Sequence, residues 1–253
     1  MHLHCRIALP FIALSLALAM SPALAASRRS PVPGRALPAP KSITGTNSAC
    51  SLGQTGFTSA YQFFFPSNDY YYTFFDPAAC ACNLPKSYVA HWMLYWLVPC
   101  QFHVQVWVVP AVDAGGGCYV PGVGAVPPDP TTALCSSSVV LLDGSAGGVI
   151  DHSVPLPAGC DCLQGPFFVV FKIIDSPGCP IDAETGTLSS PGLVHDDTPD
   201  PCISYNSYAG SAGTEDLVTK WGFHGNTTMW VDADCCATPT LPGTWGKVKT
   251  LYR

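Results

Sequence analysis

Cysteine is the residue type with the most chemistry to offer in this chain. The sequence has thirteen cysteines, one of which, Cys5, lies in an N-terminal apolar stretch. Cysteines form disulfides or bind zinc, and four-ligand zinc sites favour Cys-x2-Cys pairs, whereas this chain has only Cys-x-Cys and Cys-Cys elements. The spacing therefore favours disulfides formed in an oxidising compartment. The cysteines expected to pair, in a connectivity that the sequence leaves open, are Cys50, Cys80, Cys82, Cys100, Cys118, Cys135, Cys160, Cys162, Cys179, Cys202, Cys235 and Cys236.

The sequence lacks the spacings that mark common catalytic sites. It has no Gly-x-Ser-x-Gly elbow and no His-x3-His or His-Glu-x2-His pair. His91 and His103 fall in apolar runs, where packing within a sheet is the favoured role. Paired carboxylates of a glycosidase could arise by chance among seventeen acidic residues. We therefore expect no catalytic residues, and a protein that is not an enzyme, with a hydrolase as the weaker alternative.

Calcium is the cofactor that the acidic residues would suit. Asp outnumbers Glu fifteen to two, and Asp196, Asp197 and Asp200 crowd one loop. Carboxylate oxygens are calcium ligands, so these three are the candidate metal ligands. The competing interpretation is a cluster of solvated turn residues, since no EF-hand spacing is present.

Five aromatic side chains are candidate ligand residues for a polysaccharide. Rings of Tyr and Trp on a sheet can stack on sugar faces. By alternation along their strands, the candidates are Tyr70, Tyr72, Trp92, Trp96 and Trp107. The alternative is that the same rings fill a core.

Most of the candidate aromatic residues lie in apolar runs that are predicted to be β-strands. The run 101–108 alternates apolar and polar residues with a period of two, which predicts a strand with one buried face. The runs 88–98 and 167–174 are both predicted strands, each preceded by a Cys-x-Cys turn and followed by a Pro-containing turn that ends in Cys. They are two repeated units, by duplication or by equivalent placement in a sandwich.

Shorter runs and turn clusters complete the pattern. Runs 57–65 and 70–75, split by a polar turn, predict a hairpin. Further strands are predicted at 137–142, 147–154, 217–223 and 228–231, and long loops at 111–132 and 180–208. Many short strands with Gly/Pro turns predict an all-β fold, an antiparallel β-sandwich or jelly roll stapled by disulfides.

Composition divides the chain into four parts. Residues 1–25 have a basic start, an apolar stretch and an Ala-x-Ala ending, which predict a cleaved signal peptide. Residues 26–48 predict a flexible basic leader, 49–237 the β-sandwich domain, and 238–253 a Pro-bounded tail. The protein is therefore expected to be secreted, periplasmic or on the cell surface.

Charge and hydropathy exclude two classes of partner. Only three lysines accompany all seventeen acidic residues between positions 44 and 246, so a nucleic-acid partner is not expected. The run 88–112 holds Pro99, Gln101, His103 and Gln105, which argues against a membrane span after signal cleavage. The remaining partners are a surface protein or a polysaccharide.

The tail combines apolar and basic residues. Trp245, Val248 and Tyr252 recur at the spacing of one helix face, Thr244 is a candidate N-cap, and the lysines lie on the other side. Such a tail could dock on a partner or on the domain itself.

The ending Trp-Gly-x-Val-Lys-x-Leu-Tyr-Arg (245–253), the Asp-Ala-Asp-Cys-Cys at 232–236 and the Cys-x-Cys elements carry a resemblance. The chain resembles an uncharacterised family of secreted, cysteine-rich bacterial β-sandwich proteins with no known activity. The resemblance implies export and a disulfide-stapled fold. We expect a non-enzymatic structural or surface-interaction role, with a carbohydrate-binding module, either dependent on calcium or independent of it, as the alternative.

Overall fold

The computed structural model describes residues 32–36, 50–62, 69–80, 85–122, 133–160, 163, 165–180, 190–208, 211 and 213–235. Its strands, in chain order, are β1 (Val32–Ala36), β2 (Cys50–Gly53), β3 (Ser59–Gln62), β4 (Tyr70–Phe75), β5 (Pro85–Trp96), β6 (Gln101–Gly115), β7 (Cys118–Pro121), β8 (Cys135–Ser136), β9 (Val140–Asp143), β10 (Gly148–Pro155), β11 (Phe167–Asp175), β12 (Gly192–His195), β13 (Ser204–Ser207), β14 (Glu215–Asp216) and β15 (Met229–Cys235). A short helix, α1 (Leu217–Trp221), precedes β15.

The strands form two antiparallel sheets. The first sheet runs β1-β3-β12-β5-β15-β2, with β10 on the free side of β5. The second runs β14-β13-β4-β11-β6-β7, and β8 and β9 also pair with β6. This arrangement confirms the predicted antiparallel, disulfide-stapled β-sandwich.

The central core packs one face of each sheet against the other. Trp92, Leu94 and Trp96 of the first sheet belong to the same buried cluster as Phe102 and Phe171 of the second. Alternate residues of long strands therefore point inward, as the period of two requires. The rings of Trp92 and Phe171 lie 4.8 Å apart at their centroids.

The opposite faces of both sheets also carry buried apolar clusters. The outer cluster of the first sheet consists of Ala60, Met93, Val194 and Trp230. The outer cluster of the second sheet consists of Tyr70, Tyr72, Trp107, Val109, Phe168, Val170 and Tyr205. Of the strands that contribute to these clusters, β4 and β11 are apolar at nearly every position, since both of their faces are buried.

Four disulfides are present among the described residues. They are Cys50–Cys80, Cys100–Cys179, Cys118–Cys202 and Cys135–Cys160. Eight of the twelve cysteines expected to pair are therefore bonded. Cys82, Cys162 and Cys236 lie outside the described residues, and Cys235 ends β15.

Several local predictions were wrong. Residues 57–65 and 70–75 do not form a hairpin, because β3 lies in the first sheet and β4 in the second. The run 217–223 is a helix rather than a strand, since the Asp216 side chain accepts a hydrogen bond from Thr219 N and Gly222 ends the helix in a left-handed conformation.

The predicted loops and leader contain further strands. The loop at 111–132 begins with the end of β6 and with β7, and the loop at 180–208 holds β12 and β13. Part of the leader forms β1, an edge strand paired with β3. Backbone pairing to a neighbouring strand needs no apolar alternation in the sequence, so composition did not indicate these strands. Residues 1–25, the predicted signal peptide, and residues 238–253, the predicted tail, lie outside the described residues.

Candidate functional site

A buried histidine lies between two carboxylates on the first sheet. His91 lies on β5, Asp151 on β10 and Asp232 on β15, the strands on either side of β5. His91 Nδ1 is 3.1 Å from both carboxylate oxygens of Asp151, and Nε2 is 3.2 Å from Asp232 Oδ2. Only 2% of the His91 side chain is exposed, against 9% and 4% for the two acids.

Two further residues complete this group. The Ser51 hydroxyl donates a 2.7 Å hydrogen bond to Asp232 Oδ1. The ring of Trp230 is stacked on His91. We call His91, Asp151, Asp232, Ser51 and Trp230 the His91 cluster.

The geometry of the His91 cluster suits a structural link better than catalysis. A general base needs a ring nitrogen within reach of the proton that it removes from a substrate, but both nitrogens of His91 face carboxylates of the protein. The hydroxyl of Ser51 contacts Asp232 rather than the imidazole, so the order of contacts differs from a Ser-His-Asp triad. Asp151 and Asp232 lie on opposite sides of one imidazole ring, which separates them, whereas the two carboxylates of a glycosidase face one sugar between them.

A second buried histidine, His152, accepts a hydrogen bond. Trp96 Nε1 donates to His152 Nε2 at 2.9 Å, which requires that this nitrogen carries no proton. Burial lowers the pKa of His152 from 6.5 to about 4, against the smaller opposing effects of Asp151 and Asp143. His152 is therefore neutral at pH 7 and serves as an acceptor for the core indole.

The three candidate calcium ligands have separate environments. Asp196 is buried, and its Oδ1 accepts hydrogen bonds from the backbone N–H groups of Thr198 and Asn226, at 3.0 and 2.8 Å. Asp197 and Asp200 are exposed. The Asp196 carboxylate thus caps a turn, which is the competing interpretation of this loop. Within the described part of the chain, no three His, Cys, Asp or Glu side chains are grouped to hold a metal ion.

The five candidate sugar-binding rings are buried, which favours the alternative that they fill a core. Trp92 and Trp96 lie in the central core, at 0% and 1% exposure. Tyr70, Tyr72 and Trp107 lie in the outer cluster of the second sheet, at 3% exposure or less. A ring with no exposed face cannot stack on a sugar.

The tyrosines of that outer cluster behave as buried groups. Burial raises the pKa of Tyr72 and of Tyr70 above the usual 10, and raises the pKa of Tyr205 to about 12. Tyr72 and Ser207 share a 2.8 Å hydrogen bond, and the Tyr205 hydroxyl donates to the carbonyl of Tyr119. These hydroxyls are satisfied inside the protein.

Asn226-Thr227-Thr228 matches the Asn-x-Ser/Thr sequence of N-glycosylation sites, and all three residues are buried. Asn226 has no exposed surface, and its Nδ2 donates a 2.8 Å hydrogen bond to the carbonyl of Thr198. The folded chain therefore does not present this asparagine for modification.

Exposed apolar side chains occur on β9 and on the residue before it. Val139 and Leu141 are 53% and 45% exposed, and they point to the same side because they are two positions apart. β9 pairs with β6 on one side, and no strand among the described residues pairs with the other. We call Val139 and Leu141 the β9 patch.

A shallow depression lies beside the start of β6. Its volume is about 300 Å³, and its lining includes Pro99, Gln101, Ser145 and Pro177. Gln101 Nε2 donates a 2.9 Å hydrogen bond to Asp143 Oδ1, and chiefly this contact lowers the pKa of Asp143. The Cys100–Cys179 disulfide holds together the two turns that border the depression.

Comparison with known proteins adds no relative. The chain matches no protein-family model, no curated protein and no solved structure. The resemblance to secreted, cysteine-rich bacterial proteins therefore stays a prediction. No helix in the part of the chain that the structure describes is long and apolar enough to cross a membrane.

The sequence pattern missed the His91 cluster. Strand alternation placed His91 on a sheet, but it could not reveal that Asp151 and Asp232 lie on the neighbouring strands. Strand order depends on contacts between residues 60 and 141 positions apart in the chain, and local sequence patterns carry no such information.

Proposed function

We propose that this protein is an exported, non-enzymatic β-sandwich with a structural or surface-interaction role. The observation that carries the proposal is the set of four disulfides, which join positions 25 to 84 residues apart and hold strand ends and turns of both sheets. Disulfides of this density form and persist in oxidising compartments. These disulfides therefore support a role as a stable structural domain outside the cytoplasm.

The state of the ionisable groups supports the non-enzymatic half of the proposal. His91 and both of its carboxylates are enclosed by protein, and His152 is an acceptor for Trp96. These are structural uses of groups that would otherwise be the first candidates for acid–base chemistry.

The β9 patch supports the interaction half. Apolar side chains that are half exposed on a strand with an open edge are typical of surfaces that bind another protein. Asp143 supplies the one charge on β9, so this edge has little of the charge that commonly prevents association.

Peptide mapping of the non-reduced protein tests whether the protein is exported and whether the four disulfides form. The full-length gene is expressed in a host with a secretory pathway, and the protein is recovered from the periplasm and the medium. We expect an N-terminus following Ala25 and the four disulfides described above. A retained signal sequence, or free thiols at Cys100 and Cys179, would contradict the proposal.

Substitution of the β9 patch tests the interaction role. The double variant Val139→Lys/Leu141→Lys places charge on exposed positions and is expected to keep its melting temperature while losing retention on the cell envelope or in assemblies. The matched control, Ser136→Lys/Ser138→Lys, adds the same charge at neighbouring exposed positions. Equal retention of the two double variants would rule out the β9 patch as the contact surface.

A further inference from the structure

β9 is an edge strand whose outward side offers backbone hydrogen-bonding groups. Gly144 N donates a 3.0 Å hydrogen bond to Cys100 O, one position beyond the paired residues of β9 and β6. Hydrogen-bonded pairs alternate along an antiparallel ladder, so Leu142 and Val140 also direct their backbone groups to β6. The N–H and C=O of Leu141 therefore point away from β6, to the side on which no strand of the described chain pairs with β9.

The other edge strands of the described sheets are less suited to pair with a further strand. β1, β7 and β10 each contain a proline, which has no N–H to donate. β8 and β14 have two residues each, and β2 exposes no large apolar side chain. β9 has the sequence Val-Leu-Leu-Asp, without Pro, Lys or Arg, and Leu141 is 45% exposed. β9 is thus the edge at which a partner strand fits best.

We propose that β9 pairs with β9 of a second copy of this chain, in a dimer with two-fold symmetry. Antiparallel pairing about an axis at Val140 sets Leu141 of each copy opposite Val139 of the other. The two β9 patches then lie on the same face of one continuous sheet and contact each other as cross-strand pairs. The proposal rests on the interaction role proposed above and deepens it by naming the partner.

The same register keeps like charges apart. Asp143 and Ser137 lie three positions on either side of Val140, so each Asp143 carboxylate lies opposite a serine of the other copy. An axis at Leu141 would instead place Asp143 opposite Val139, where the carboxylate would lose solvent to an apolar side chain. The positions of the apolar residues and of the single charge therefore favour the axis at Val140.

The contact closes on itself and is small. A two-fold contact uses the same surface on both copies, so it gives a dimer rather than a filament. Each copy contributes two apolar side chains that are about half exposed. Small interfaces are typical of weak, transient association. We therefore expect a dimer that forms only as the protein concentration rises.

Sedimentation velocity of the full-length mature protein tests the proposal. A concentration series of the wild-type protein should shift from monomer to dimer. Leu141→Lys, which brings two like charges close to the axis, should remain monomeric over the same series. The matched control is Val112→Lys. Val112 is 50% exposed and lies eight positions beyond Val104, the last residue of β6 that pairs with β9. This control should dimerise as the wild-type protein does.

Amide hydrogen exchange distinguishes strand pairing from contact between side chains alone. The N–H of Leu141 bonds to the second copy only if the two β9 strands pair through their backbones. Exchange at position 141, followed by NMR, should therefore be slower in concentrated than in dilute wild-type protein. In Leu141→Lys, the exchange rate at this position should not depend on concentration.

Three results would overturn the proposal. They are a wild-type protein that stays monomeric throughout the series, a Leu141→Lys variant that dimerises as readily as Val112→Lys, and a dimer in which exchange at position 141 is as fast as in the monomer. A monomeric wild-type protein whose β9 patch variant still loses retention would show that the patch binds a different partner. The interaction role would then stand without self-pairing, so the two failures are distinguishable.

Discussion

The imidazole of His91 lies parallel to the indole of Trp230, with ring centroids 4.5 Å apart and planes 8° apart. Stacking fixes the ring from its face, Nδ1 shares a 3.1 Å hydrogen bond with Asp151, and the Asp232 carboxylate lies 3.2 Å from Nε2. The three strands β10, β5 and β15 are thereby joined by side chains as well as by their backbones. Because the group is buried, each charge depends on the others for compensation.

Removal of the Asp232 carboxylate from the His91 cluster should destabilise the folded protein. We expect Asp232→Ala to lower the free energy of unfolding by about 3 kcal/mol, since it removes the acceptor of the 2.7 Å hydrogen bond from Ser51 and one of the two buried carboxylates beside His91. Urea denaturation at pH 7, followed by fluorescence, measures the loss.

The pair His103–Asp175 provides the matched control. Its atoms are closer, at 2.7 Å, but the two side chains are 39% and 49% exposed. Solvent screening reduces the value of such a pair, so Asp175→Ala should cost less than about 1 kcal/mol. If the two substitutions cost the same, the His91 cluster is not a buried link.

Stability should fall with acid because of His152. Its pKa is about 4 in the folded protein, owing chiefly to burial, whereas a histidine in the unfolded chain has its ordinary pKa of 6.5. The unfolded chain therefore takes up a proton first as the pH falls. The neutral His152 ring contributes fully to the free energy of unfolding above pH 6.5. This contribution, about 3 kcal/mol in total, is lost as the pH decreases from 6.5 through about 4.

Comparison with His152→Gln isolates this effect. Glutamine cannot titrate, and its side-chain oxygen can accept the hydrogen bond from Trp96. Urea denaturation of both proteins at pH 7 and at pH 4.5 gives two pH dependences, and the contributions of the carboxylates and of His195 cancel in their difference. We expect the free energy of unfolding to decrease less in the variant than in the wild-type protein between pH 7 and pH 4.5. Equal decreases would show that His152 does not cause the loss of stability in acid.

Alternation and β-branching were sufficient to predict the strands of the core. The run 167–174 corresponds to β11, and the run 101–108 lies within β6. The first is apolar at nearly every position and the second alternates apolar with polar residues, and the two strands pair with each other along most of the length of β11. The antiparallel sandwich follows from such strands and the turns between them.

Exposure could not be predicted from the same patterns. Trp107 alternates with valines as a surface residue would, yet the outer cluster of the second sheet buries it. Lys172 lies beside it, with its amine 5.5 Å from the Trp107 ring. A covered outer face depends on chain from other parts of the sequence, so alternation alone could not decide between sugar binding and core packing for the five candidate rings.

The short helix shows a different limit. Asp216 and Gly222 are the N-cap and C-cap signals of α1 and were present in the sequence. The run between them has only five residues in the helix, too few for a helical period to stand out from a strand. Capping residues are the better guide for elements of this length.

Disulfide removal should cost more where the closed loop is longer. The Cys118–Cys202 bridge spans 84 positions, and Cys135–Cys160 spans 25. Loop-closure entropy of the unfolded chain predicts losses of about 4.5 and about 3.5 kcal/mol for the two double Cys→Ser variants. Guanidinium denaturation of both variants checks the order. The reverse order would show that packing around each disulfide affects stability more than the loop-closure entropy of the unfolded chain does.

A single methyl group at Gly144 should disturb the core. A Cβ atom there would lie 2.0 Å from Cδ2 and Cε3 of Trp96. The indole cannot move away cheaply, because it is 1% exposed and its Nε1 donates to His152. We expect Gly144→Ala to lower the free energy of unfolding by about 3 kcal/mol.

Gly159→Ala is the control for Gly144→Ala. Its added Cβ would meet Cys135 Cβ at 3.8 Å, an ordinary contact, and the position is exposed. The control should change stability by less than about 0.5 kcal/mol. Thermal and urea denaturation of both variants decide the matter. If Gly144→Ala is no more destabilising than the control, then Trp96 does not pack against the turn after β9. The indole would then be free to move, which its hydrogen bond to His152 should prevent.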